Sequence, residues 1–329
     1  MRDDGVAPVI AVMLILAVAV TFLAVFNGIY IPSLKQSAEI DHIQNVEAAF
    51  LKFSSDITYA ASSRQDHLSF TEPVQLGGGN VVFNTLRSGG SLSLQTEQTP
   101  VYNLTLYDAT GTVLAGMNGT MVSVTYEPQG NFWQDQGYRW QYGYINVTKY
   151  QSRETPLGYT NMTEVMNVLA DASSAFPATV TTDAVQNISA QVNCTSSKDS
   201  EGNLVYTCNY QPLSGICSRI DLFAVNVTAS PDHSFMSSNG FATLGITSTV
   251  LQINTTDVPV FAVSFGAGEG PLKNAALTRW NQSFADAARI CPNTIQFDPS
   301  ENLPQYRIRQ DISPVNVTLN VVSIEISVN

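Results

Sequence analysis

The chain has 329 residues, with 15 Lys and Arg against 27 Asp and Glu and a formal charge of -12. That balance argues against a nucleic-acid partner, because phosphate binding needs a basic footprint. It suits an acidic surface solvated in salt rather than a calcium site, since no EF-hand spacing is present. The length allows a membrane element plus one large or two medium domains.

Met1 to Gly5 (MRDDG) is a leader too short to fold. From Val6 to Leu34 the 29 positions contain no charged residue. About 20 helical residues cross the hydrocarbon of a bilayer, and the 26 from Val6 to Ile31 exceed that. A secretory signal has a basic start, a shorter apolar core and a small-residue cleavage site behind it. Here the start carries one Arg and two Asp, and Ser33, Leu34, Lys35 and Gln36 make no such site. The helix is therefore expected to stay in the mature protein. Pro8 is compatible with a first helical turn, which needs no backbone donor. Arg2 is offset by Asp3 and Asp4, and Lys35 lies beyond the span, so charge alone gives only a small bias toward an inside N-terminus.

The run Arg2-Asp3-Asp4-Gly5, followed by Val6-Ala7-Pro8-Val9-Ile10-Ala11-Val12, resembles the class III signal of archaeal type IV pilins and pilin-like proteins. In that family a short charged leader ends in a small residue, and a Ser/Ala-Pro-Val-Ile-Gly-Val-like sequence opens the hydrophobic helix. The leader here is acidic on balance, and Ala11 stands where glycine is common. The resemblance implies Gly5 before the cut, Val6 as first mature residue, and a prepilin-type peptidase acting on the cytoplasmic side. It also implies the pilus assembly machinery and other pilin-like subunits as partners.

Pro32 is placed to kink the span. After it, Gln36 to Ala61 reads as helix again, with Ile40, Ile43, Val46, Phe50, Phe53, Ile57 and Ala60 at spacings of three and four. Glu39, Asp41, Glu47, Lys52 and Asp56 lie off that stripe. Span plus extension makes roughly 55 residues, or ~80 Å at 1.5 Å per residue. The stripe is expected to dock on the rest of the chain; a free coiled coil would need more heptads.

From about Leu68 the period changes to two. Asn80–Thr85, Ser91–Gln95, Val101–Tyr107, Val113–Ala115 and Met121–Tyr126 alternate or are β-branched, with glycine-bearing turns between them. A meander or sandwich is expected. Tyr138, Trp140, Tyr142 and Tyr144 stand at i, i+2 spacing and are expected to share one face of a strand. That face is read as a cover for the long helix in preference to a carbohydrate platform. Thr160–Phe176 reads as a helix ended by Pro177. Strands are expected at Val185–Asn193, Leu204–Tyr210, Ile220–Thr228, Thr247–Ile253, Val258–Phe265 and Val315–Val328, with a helix over Leu272–Arg289.

Ten Asn-x-Ser/Thr acceptors lie beyond the apolar helix: Asn103, Asn118, Asn146, Asn161, Asn187, Asn193, Asn226, Asn254, Asn281 and Asn316. With 24 Asn and 60 Ser/Thr, chance predicts roughly four to five. The excess points to an exported, glycosylated head. Cys194, Cys208, Cys217 and Cys291 form no Cys-x-x-Cys pair, and only His42, His67 and His233 exist, so zinc is disfavoured. Two disulfides in an oxidising compartment fit better. Three connectivities are possible; Cys194–Cys208, across a hairpin with tip SSKDSEGN, is favoured, which leaves Cys217–Cys291.

No catalytic signature stands out. Gly266-Ala-Gly268-Glu-Gly270-Pro precedes a helix, but its glycine spacing is wrong for a phosphate loop and Glu269 would repel the ligand. No Gly-x-Ser-x-Gly elbow or His-Glu-x-x-His occurs. The acidic pairs Asp56/Asp66 and Asp298/Glu301, and the loop aspartates Asp232, Asp257 and Asp298, read as solvated carboxylates.

The expected fold is α+β, a long N-terminal helix followed by a large antiparallel β-sandwich-like head with a few short helices. The expected divisions are 1–5 leader, 6–31 transmembrane or polymerisation helix, 32–64 amphipathic continuation, 65–150 β-rich domain and 151–329 second β-rich domain with the disulfides. The favoured function is a membrane-held pilin-like subunit, without enzyme activity or cofactor, whose head lies outside the cell and whose helix self-associates. The alternatives are an anchored surface adhesion protein that never polymerises and, third, an anchored extracellular hydrolase.

Overall fold

The computed structural model describes residues 6–78, 87–130, 135–149, 153–170, 181–186, 190–212, 215–254, 259–268, 273–298, 305–311 and 314–329. The leader, the expected strand Asn80–Thr85, and Asn187 lie outside them. The architecture is α+β: one long N-terminal apolar helix, then a mostly antiparallel β-sheet-rich head with a few short helices.

Helix α1 (Val6–Val25) passes through one π-turn (Phe26–Tyr30) into α2 (Ile31–Ser63). Pro32 accounts for the π-turn. It has no N–H to give the carbonyl four residues back, and its ring crowds that carbonyl. The backbone opens by one residue, so that the Ile31 N–H bonds the Phe26 carbonyl, and the helix continues unbroken. Arg64 then turns left-handed, with φ 55°, and ends α2. Just beyond, Asp66 Oδ1 accepts the Val250 N–H at 2.9 Å, and Ser248 Oγ donates to the Gln65 carbonyl at 3.1 Å. The helix end is thereby tied into the head.

The head begins with β1 (Leu68–Gln75), β2 (Gly89–Thr96), β3 (Tyr102–Tyr107), β4 (Val113–Gly119) and β5 (Val122–Gln129). Next come β6 (Gln136–Gln141), β7 (Tyr144–Lys149), β8 (Arg153–Pro156), α3 (Met162–Ala170), β9 (Thr181–Gln186), β10 (Ala190–Lys198) and β11 (Leu204–Pro212). The remainder is β12 (Cys217–Ala229), β13 (Phe235–Ser238), β14 (Phe241–Asn254), β15 (Ala262–Ala267), α4 (Lys273–Ile290), β16 (Ile295–Asp298), β17 (Gln305–Ile308) and β18 (Asn316–Val328).

One sheet has the order β1-β14-β18-β12-β9, a second β13-β2-β5-β6-β7-β8 and a third β16-β17-β15-β3-β4, while β10 and β11 form a ribbon of their own. Among the described residues, only β12 and β18 pair in parallel. Strands from either side of residue 150 are interleaved, since β1 pairs with β14 and β2 with β13.

Among the described residues, the β12–β18 pair serves the two largest apolar cores. Ile220, Leu222 and Ala224 on β12, with Val317, Leu319 and Val321 on β18, enter a core shared with α4 and the third sheet. Val225 and Val227, with Val322, Ile324 and Ile326, enter a core built around α2 and the second sheet. Ala224 lies opposite Val321, and Val225 opposite Val322. Both strands therefore change their buried face at the same register position, as alternating side chains require when each half is covered from a different side.

Three local expectations are corrected. Tyr142 and Gly143 form a two-residue hairpin turn with φ of 54° and 88°, so Tyr144 belongs to β7 and the four aromatic residues do not share one strand face. Ile40 is 37% exposed, and Glu39, expected in solvent, is fully buried. Gly266 lies inside β15, paired with Asn103, rather than in a turn.

Candidate functional site

The feature that sets this chain apart is one helix in two environments. Along α1, large apolar side chains point outward all round; Ile15 is 70% exposed and Phe22 66%. The helix is long and apolar enough to cross a membrane, and none of its most apolar stretch is buried by the head. Such a surface needs lipid or other helices around it. Thr21 on α1 and Asn27 in the π-turn are turned inward on the backbone. Thr21 Oγ1 donates to the Ala17 carbonyl at 2.7 Å, and Asn27 Nδ2 to the Leu23 carbonyl at 2.9 Å. This back-bonding satisfies each group without a water molecule. Phe22, Phe26 and Tyr30 stack in series, with centroids 6.1 and 5.3 Å apart, at the end of the span.

From Ile43 onward the same helix is clasped. Val46, Phe50, Phe53, Ile57 and Ala60 are fully buried between the first and second sheets. Phe50 meets Tyr138 at 5.9 Å, and the Tyr138 hydroxyl donates to Glu47 at 2.8 Å. Trp140 Nε1 donates to Ser54 Oγ at 3.1 Å. The aromatic residues of β6 thus act on the helix, through both rings and polar tips.

Between the bare and the clasped halves lies a polar knot. Lys35, Glu39 and His42 continue the inner stripe and are all buried. Ser88 Oγ donates to Glu39 Oε2 at 3.1 Å and accepts the Gly78 N–H at 2.9 Å. His42 Nε2 donates to the Gln75 carbonyl at 2.9 Å, which fixes a proton on that nitrogen. Its Nδ1 faces Glu39 Oε1 at 3.8 Å. Among the described residues neither atom has a hydrogen-bond partner. A Cβ on Gly78 would come within 2.7 Å of the His42 ring, so only glycine lets the chain pass.

Cys217 is disulfide-bonded to Cys291, which joins the start of β12 to the end of α4 across 74 residues. The β10–β11 register sets Cys194 opposite Cys208. Of the sequon asparagines, Asn103, Asn118, Asn161, Asn281 and Asn316 are exposed, Asn226 is half-buried and Asn146 is 4% exposed. Asn193 and Asn254 are placed by backbone only, in β10 and β14. Val6 is the first described residue of α1.

The acidic pairs engage in structural contacts. Asp56 and Glu72 share Lys52, and Asp298 pairs with Arg307 at 2.7 Å. Glu301 and Asp257 lie outside the described residues. Among the described residues, no group of three His, Cys, Asp or Glu could hold a metal ion. An open polar cleft of about 690 Å³ lies beside Tyr107, Asp108, Phe261, Arg307 and Asp311, but its arginines are committed to Asp298 and Asp311. Comparison with protein-family models, with curated proteins and with solved structures finds no match.

Proposed function

We propose that the chain is an exported, membrane-held type IV pilin-like subunit that works by assembly rather than catalysis. The observation that carries this reading is the division of one continuous helix into a bare apolar half and a head-clasped half. The leader would be removed before Val6, the bilayer would hold α1, and a bundle of like helices would later replace the lipid. The hydrophobic effect, at ~25 cal/mol per Å² of apolar surface, keeps α1 out of water in either setting, and close packing between helices would hold the bundle once lipid is exchanged for it. The disulfide and the excess of sequons favour an extracellular head.

The back-bonded Thr21 and Asn27 suit permanent lipid contact equally well, which favours a second reading as an anchored surface-binding protein that does not polymerise. Purified full-length chain in detergent, treated with a prepilin-type peptidase and then freed of detergent, separates the two. Filaments seen by electron microscopy support the first; monomers or disordered aggregates alone contradict it.

A further inference from the structure

Asn103 on β3 and Asn118 on β4 are direct cross-strand partners. Both are exposed, and Asn103 Nδ2 donates to Asn118 Oδ1 at 3.1 Å. Their neighbours Tyr102 and Leu104 point inward and are buried, so both amides project from the same outer face. The ground around them is open: Gly266 lies opposite Asn103 on β15, and Gly116 lies two positions along on β4, opposite Thr105. On the other side β4 is the outermost strand of its sheet among the described residues. Each asparagine heads its own sequon, through Thr105 and Thr120.

We propose that Asn103 and Asn118 form a single glycan site, in which either amide carries a sugar but never both in one folded molecule. Directly opposed strand residues have Cβ atoms about 4.5–5.5 Å apart, closer than two branched sugars can stand abreast. A glycan on one amide leaves the other free to keep the cross-strand hydrogen bond. Two glycans would prise the β3–β4 pair apart at the sheet edge. The single glycan would also cover an edge strand that is otherwise open to pairing with another chain. This inference rests on the exported, glycosylated head proposed above.

Trypsin makes the test direct, because no Lys or Arg lies between Ser88 and Arg139 and one peptide carries both asparagines. The full chain is isolated from its native cell envelope and the mass of that peptide is read. The expected result is a shift of one glycan with complete loss of the doubly modified form. In Asn118→Gln the glycan should move to Asn103, in Asn103→Gln to Asn118, and the double variant should carry none on this peptide. A peptide with two glycans overturns the proposal. So does a single substitution that abolishes modification without transfer, or an unmodified peptide beside other occupied sequons. If no sequon anywhere carries sugar, the glycosylated-head reading falls as well, and that outcome is recognisable because every peptide is bare.

Discussion

The ring of Phe53 on α2 meets the indole of Trp140 on β6 edge-on, with centroids 5.6 Å apart and planes at 82°. Both side chains are fully buried. This contact holds the outer part of the helix to the second sheet, and the edge-to-face geometry adds to the area term. Phe53→Ala removes the ring and leaves a cavity, with an expected cost of about 3–5 kcal/mol. Chemical denaturation of the detergent-solubilised protein, followed by tryptophan fluorescence, measures it.

The Glu39–His42 knot yields a second expectation. Replacing Glu39 with Leu takes away the acceptor of Ser88 and leaves His42 Nδ1 facing an apolar group. Leaving the buried Ser88 hydroxyl without its acceptor costs about 1–3 kcal/mol. Asp41→Asn, two residues on and exposed, should stay within about 0.5 kcal/mol of the parent. Equal losses in the two variants would mean that the knot has no special role.

Alkaline pH should act through the buried phenols. Burial pushes Tyr126 and Tyr138 well above the ordinary tyrosine value, with the charge of Glu39 adding to the first and the hydrogen bond to Glu47 to the second. A folded value raised above the unfolded one, about 10, means that the contribution is intact below that pH and is lost as pH rises through the folded value. Tyr126 and Tyr138 should ionise only as the head opens. Phenolate absorbance recorded alongside circular dichroism checks the order; complete ionisation before any loss of structure would contradict it.

The Cys217–Cys291 bond closes a loop of 74 residues around the core shared by α4 and the third sheet. The chain-entropy account gives about 4 kcal/mol for a loop of that size. The double alanine variant should lose up to that amount in a thermal melt run with and without reductant, and reductant should then have little further effect on this core.

Asn146 should carry no sugar in the folded protein. It is 4% exposed, and its Nδ2 donates to Glu154 at 3.1 Å. The tryptic peptide Trp140–Lys149 is expected at its unmodified mass, and a glycan there would show that β7 is modified before it folds and tolerates the load.

How much of this was legible beforehand varies by residue. The spacing of Val46, Phe50, Phe53 and Ile57 is a local signal, and it located the docked face of α2. Glu39 sits on nearly the same stripe, yet a carboxylate at helical spacing reads as solvated; its buried place depends on Ser88, brought in by a distant segment. Tyr142 misled because two-residue turns usually show Asn-Gly or Asp-Gly, and Tyr-Gly hides the reversal inside an aromatic alternation. The parallel pairing of β12 with β18 links segments far apart in sequence, and a two-residue period specifies a face without naming a partner. Among the sequons, spacing marked ten acceptors alike, and exposure separates Asn103 from Asn146.

The central claim is that α1 is a processed assembly helix. Its most direct test is the N-terminal sequence of the mature protein taken from the membrane. The account predicts a chain beginning Val6-Ala7-Pro8, with MRDDG removed and the apolar helix retained. An intact Met1, or a chain cut after the apolar segment, would contradict it.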